Sequence, residues 1–217
     1  VIAVEAPEGV VQTIQRDIYG NPLSITQGGQ GASLTKTMTY DGEYRLCRTW
    51  EHESGSEIMA YDGADNLAWS VSGASFNDTG CGQDQVADAL KTVRGYDAMN
   101  RVTSVVYPAG TEPSSFTYDA RGNPATATAG MTSWTFGRNK LGLLTAEVLS
   151  IDGWSWALGY GYDAKGTLST IAYPNGDIVS YSPNGLRQPT QASGYVSGVS
   201  YFADGDVKSY TLGNGAI

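Results

Sequence analysis

A chain of 217 residues is long enough to bury a core, and 28 glycines beside only 16% charged residues exclude a helix bundle. Average domains carry roughly 7% glycine and about 25% charge, and glycine is among the poorest helix formers. Thirteen basic against 22 acidic residues leave a net charge of −9, which disfavours nucleic acid and anionic membrane surfaces as partners. No run approaches the ~18 apolar residues of a membrane-spanning helix.

In chain order, residues 1–15 read as a lead-in strand, and residues 16–217 as one array of about nine hairpins. The chain begins at Val1 without Met and is expected to be a piece of a longer polypeptide. Each hairpin unit has an aromatic residue, Asp, two variable residues and Gly, then a polar and an apolar residue or Pro. The clearest copies are Tyr118-Asp119-Ala120-Arg121-Gly122 and Tyr162-Asp163-Ala164-Lys165-Gly166. Others begin at Tyr40-Asp41, Tyr61-Asp62 and Tyr96-Asp97, with degenerate copies at Arg16-Asp17, Arg138-Asn139, Tyr181-Ser182 and Tyr201-Phe202. The long step from Asp62 to Asp97 marks an insertion over residues 72–93.

The fourth turn position holds Gly20, Gly122, Gly142, Gly166, Gly185 and Gly205, with Asp65 and Asn100 in two further copies and Tyr44 as the exception. Gly, Asn and Asp tolerate the left-handed αL region best, so the block predicts a short hairpin loop with a Gly bulge. The strand entering each turn alternates. Ile14, Met38, Met59, Phe116, Phe136, Tyr160, Val179 and Val199 are apolar or aromatic, with Arg94 the exception, while Gln15, Thr39, Ala60, Gly95, Thr117, Gly137, Gly161, Ser180 and Ser200 are small or polar. Period two with one bulky face is a strand signature. Tyr107-Pro108-Ala109-Gly110 and Tyr173-Pro174-Asn175-Gly176 supply returns. Nine units then make roughly eighteen antiparallel strands, and a sheet that long must curve. The fold class is all-β.

Several other residues draw attention. Cys47 and Cys81 are the only cysteines; a disulfide between them would pin the insertion and favour an oxidising location. Within the insertion, Asp84 is placed as the N-cap of at most one short helix. His52, the sole histidine, would point away from Glu51 and Glu53 on a strand, and reads as a solvated residue. Asp78-Thr79-Gly80 matches the aspartic-protease tripeptide but lacks a second copy, and Asn77 opens a glycosylation sequon. The acidic pairs Asp62/Asp65 and Asp204/Asp206 fall in turns rather than in a Ca²⁺ loop. Trp154 and Trp156 read as part of an aromatic ladder, with glycan contact as the alternative. No catalytic, cofactor or metal residue is assigned.

The Tyr-Asp-x-x-Gly units with their Tyr-Pro-x-Gly returns resemble the YD repeats of the rearrangement-hotspot (RHS) family, over residues 16–217. The resemblance implies a strip of a spiralling β-sheet that closes into a hollow shell. In bacterial members the shell encloses a toxin or enzyme; in animal teneurins a related shell serves adhesion. The self-cleaving core of that family, with its Asp-Pro-x-Gly-Leu-type sequence, does not occur in this sequence. The expected function is therefore a non-catalytic shell segment, secreted or at the cell surface, that encloses or presents a toxin or other cargo. Its partners would be the remaining parts of the shell, or other chains, at open sheet edges. The alternative is a carbohydrate- or receptor-binding adhesion module.

Overall fold

The computed structural model describes residues 2–5, 9–29, 31–75 and 80–214, and it is all-β. Its contacts divide the chain into two compact units, Val1–Pro113 and Ser114–Ile217.

Within the described residues the first unit is a nine-stranded antiparallel meander. Its strands are β1 (Ile2–Glu5), β2 (Val11–Arg16), β3 (Pro22–Gly29), β4 (Ala32–Tyr40), β5 (Leu46–Glu51), β6 (Gly55–Tyr61), β7 (Leu67–Ala74), β8 (Thr92–Tyr96) and β9 (Val102–Val106). Each pairs with the next in sequence. The expected lead-in over residues 1–15 is thus a strand pair, β1 with the start of β2.

The second unit contains β10 (Ser114–Tyr118), β11 (Pro124–Ala129), β12 (Thr132–Arg138), β13 (Leu144–Ile151), β14 (Trp154–Tyr162), β15 (Leu168–Ala172) and β16 (Ile178–Ser180), again paired in order. A separate hairpin, β17 (Val196–Tyr201) with β18 (Val207–Leu212), follows. Such local pairing follows from short turns, since a tight loop admits only its antiparallel neighbour.

The two faces of the second unit differ in chemistry. On one, Phe116, Ala127, Trp134, Leu149 and Trp156 are successive cross-strand partners. On the other, Ser115, Thr128, Ser133, Ser150 and Ser155 form the neighbouring row. Adjacent residues on a strand point to opposite faces, so the alternation in the sequence becomes one bulky and one hydroxyl face. The small column has a steric cause at Gly137, where an added Cβ would lie 3.3 Å from the Ala146 Cβ.

Buried hydrophobic side chains concentrate in the first unit. Among the described residues Met38, Cys47, Ile58, Met59, Val71 and Val86 are buried there, against Val179 alone in the second. The excursion between β7 and β8 accounts for much of this. Its Val86 packs on Ile58 and Val71, with Trp69 and Ala74 around them. Instead of a single capped helix it carries two 3₁₀ turns, Gln83–Gln85 and Asp88–Leu90. Gly82, not Asp84, precedes the first turn, and its φ of 68° sets the entry angle with no side-chain cap. Two three-residue turns let the excursion follow the sheet while it delivers Val86 to the cluster.

Candidate functional site

The repeat turn is the chemically most organised feature, and each copy is built around one carboxylate. At Asp17 the backbone closes a five-residue loop: Asp17 N donates to Asn21 O at 2.9 Å, and Gly20 N to Asp17 O at 3.2 Å. Asp17 Oδ1 then accepts the amides of Tyr19 and Asn21 at 2.9 and 2.8 Å, and Oδ2 accepts Asn21 Nδ2 at 3.0 Å. Asp41, Asp62, Asp97, Asp119 and Asp163 repeat the two amide contacts. Asn139 does so with its amide oxygen. The fourth position adopts φ between 59° and 92° at Gly20, Tyr44, Asp65, Asn100, Gly122, Gly142 and Gly166. A register shift beside every one of these turns marks the bulge. At Tyr44 a bulky residue holds αL geometry, with the Tyr19 ring packed 4.7 Å away.

These contacts lower the carboxylate pKa values. Asp62 is held below the ordinary range first by the Asn66 side chain, Asp97 by the Arg101 side chain, Asp119 by Asn123, and Asp163 by the Thr167 amide. Hydrogen bonds to the charged form favour it.

The aromatic column acts across repeats. Tyr40 Oη donates to Pro22 O at 2.9 Å, Tyr61 to Leu46 O at 2.8 Å, Tyr96 to Leu67 O at 3.0 Å and Tyr162 to Leu144 O at 2.7 Å. In each case the acceptor is the residue five positions after the turn Asp or Asn of the preceding repeat. The Asp therefore shapes its own turn while the Tyr ties the strand to the turn before it. Further ties run between successive turns: Arg45 Nη1 meets Asp65 Oδ1 at 2.7 Å, Asn66 Nδ2 donates to Asn100 Oδ1 at 3.0 Å, and Arg121 donates to Lys140 O.

The penultimate repeat departs from the expected register. Asn184, not Ser182, opens the loop: Asn184 N donates to Gln188 O, and Asn184 Oδ1 accepts the amides of Leu186 and Gln188. The αL position is Arg187 at φ 67°, so Gly185 lies inside the loop and Pro183 takes the aromatic place. Tyr181, placed in the aromatic column by sequence, instead accepts the amides of Thr190 and Gln191 at its carbonyl. The staple confirms the shift, since Tyr201 Oη donates to Pro189 O, again five positions past the loop-opening residue. The final loop keeps the backbone pattern with Phe202 and Gly205 (φ 98°), and Asp204 supplies the carboxylate contact to Asp206 N.

The disulfide joins Cys47 to Cys81 with Cα atoms 5.3 Å apart, and it anchors the excursion to β5. Gln83 Nε2 adds a bond to Met59 O at 2.6 Å, and the buried Arg48 donates from Nε to Ser56 Oγ at 3.0 Å. His52 is exposed in the turn after β5, its ring 6.3 Å from that of Trp50. Asn77 and Asp78 lie outside the described residues. Among the described residues no group of three His, Cys, Asp or Glu side chains converges as metal ligands, and no helix is long and apolar enough to cross a membrane.

Trp154 and Trp156 sit on the bulky face of β14, 71% and 45% exposed, opposite Ile151 and Leu149. Trp134 faces Leu149 from the other side, so sequence spacing alone missed one member of the row. Further along this face, Tyr160 donates to Glu147 Oε2 at 2.9 Å; burial, and then that carboxylate, pushes its phenol up to about 12.

Comparison with known proteins agrees with this geometry. The RHS Repeat family matches residues 96–133, two successive Asp turns. No curated protein sequence matches the chain. Among solved structures, TcdB2-TccC3-Cdc42 is similar with a TM-score of 0.58 at 15% identity, over 97% of this chain and 11% of that chain. TcdB2-TccC3 without its hypervariable C-terminal region gives 0.57 at 16% identity, over 97% and 11%. The Photorhabdus luminescens Tc holotoxin pore gives 0.52 at 13%, over 97% and 14%. At such identities the likeness is one of fold, and this chain spans between a tenth and a seventh of the length of those chains. The family match thus covers two turns of the array, the same turn geometry recurs beyond them, and the fold is similar to that of the TcdB2-TccC3 structures.

Proposed function

We propose that the chain is a structural wall segment that encloses or presents another polypeptide, a toxin or other cargo, and performs no catalysis itself. The observation that carries this reading is the tyrosine staple. Five tyrosine hydroxyls, three in the first unit and two in the second, each bond the strand that leaves the preceding turn, so the array is reinforced at several repeats rather than around a single pocket. Reinforcement of that kind suits a barrier. The repeat-turn carboxylates are occupied by turn amides, which supports a non-catalytic role for them. A secreted or cell-surface setting is supported by the disulfide, since such bonds persist in oxidising compartments. The partners are the rest of a shell and other chains at unpaired strand edges, which template pairing.

Proteolysis of an unstructured reporter fused after Ile217 tests the reading. Slower cleavage in the edge-assembled form than in the dilute monomer is expected. Equal cleavage in both, or monomer at every concentration in light scattering, contradicts it.

A second reading, a carbohydrate- or receptor-binding adhesion module, is favoured by one observation: Trp134, Trp154 and Trp156 are exposed on one face of neighbouring strands. Glycan-array binding that is lost in Trp154→Ala and Trp156→Ala would establish it.

A further inference from the structure

The second unit contains a cleft of about 480 Å³ beside the return turn at Tyr173. This volume lies within the ~300–1,000 Å³ of ordinary small-molecule sites. Three tyrosines, Tyr173, Tyr181 and Tyr195, line it together with the carboxylate of Asp177. Val179, only 6% exposed, and Ala192 supply aliphatic surface between them. No Lys or Arg is among the lining residues. The return turn closes through its backbone: Tyr173 N donates to Asp177 O at 2.8 Å, and Gly176 N to Tyr173 O at 3.0 Å.

We propose that this cleft binds a quaternary ammonium group, of the kind a choline headgroup presents. Ring faces carry negative potential and attract a cation lying over them. A carboxylate at the mouth adds charge complementarity, and the chain's net charge of −9 draws cations towards it. Methylation decides between cations. A primary ammonium needs three hydrogen-bond acceptors to replace its water, whereas a tetra-alkylated nitrogen has no N–H, and its methyl groups match rings and aliphatic floor. Asn175 holds the Asp177 carboxylate: Asn175 Nδ2 donates to Oδ2 at 2.6 Å, and Asp177 N donates to Asn175 Oδ1 at 3.1 Å. Burial, and then the neighbouring Tyr173, raises the Tyr181 phenol above its ordinary value, so that ring remains neutral at physiological pH.

The test is calorimetric titration of the whole chain with choline and with tetramethylammonium, against 3,3-dimethyl-1-butanol as the uncharged isostere of choline. Both cations are expected to bind, the isostere about tenfold or more weakly. Asp177→Asn and Tyr195→Leu should each weaken cation binding roughly three- to tenfold, while Tyr195→Phe keeps the ring and stays within about twofold. Tyr195 is 63% exposed, so these variants fold, as circular dichroism would verify. Phosphatidylcholine and phosphatidylglycerol vesicles separate the sources. Selective retention by phosphatidylcholine that Tyr195→Leu abolishes assigns the lipid headgroup; binding of the free cations alone assigns a soluble ligand. Equal affinity for choline and its isostere, absence of binding to either cation, or a Tyr195→Leu affinity equal to the parent would overturn the proposal.

Discussion

The two units use one repeat but are consolidated differently. In the first, a disulfide-anchored excursion lays Val86 over Ile58 and Val71, and most of the buried apolar side chains lie there. In the second no such cover exists within the described residues, and Trp134, Trp154 and Trp156 remain exposed on the sheet. A single sheet layer cannot bury a face against itself, and stable domains normally add a second layer. The first unit solves this locally. The second depends on turn hydrogen bonds and tyrosine staples, and leaves an apolar face open.

The difference can be broken from the largest effect downward. Cys47→Ser with Cys81→Ser should destabilise the first unit by about 3–4 kcal/mol, as removal of a loop closure of this length does. Chemical denaturation of each unit, followed through its own tryptophans, would measure it. The second unit should be unaffected. Ile58→Ala removes the centre of the covered cluster and should cost about 3 kcal/mol, whereas Leu149→Ala on the open face should cost about 1 kcal/mol. Equal losses would erase the contrast. Tyr162→Phe deletes one staple and leaves Leu144 O without its donor, a loss of about 1 kcal/mol by thermal denaturation.

Acid gives the smallest effect, and its sign is fixed. The turn carboxylates have folded-state pKa values below their unfolded ones. The native state therefore binds fewer protons, so this contribution is fully present above the unfolded value of about 3.9 and disappears as pH falls through the folded values. Asp119→Asn should flatten part of the acid limb measured by denaturant titration at a series of pH values.

The turn positions were largely legible in the sequence because their chemistry is local. An Asp that caps amides two and four residues on, followed by an αL residue, leaves a mark within five letters. The misplacement at Ser182 shows what such a pattern omits. Asp17, Asp62 and Asp119 are each followed four residues later by an Asn that bonds back to the carboxylate. Asn184 is followed at the same spacing by Gln188, whose Oε1 accepts Asn184 Nδ2, so the fifth position was the better guide there. The staples were not legible, because each joins residues from different repeats and depends on a bulge that turns the Tyr towards the previous turn. Trp134 escaped for the same reason: cross-strand register, not local spacing, sets it beside Leu149 and Trp156. The cleft at Tyr173 gathers residues from a return turn, β16 and the loop before β17, and no short motif announces it.

Tyr40, Tyr61, Tyr96, Tyr162 and Tyr201 fasten their hairpins to the preceding repeat. Residue-resolved hydrogen exchange on Tyr162→Phe tests this fastening most directly. The account predicts faster exchange at the amides of the 139–143 turn as well as at the 163–167 turn, with the first unit unchanged. Acceleration confined to the residues flanking position 162 would contradict it.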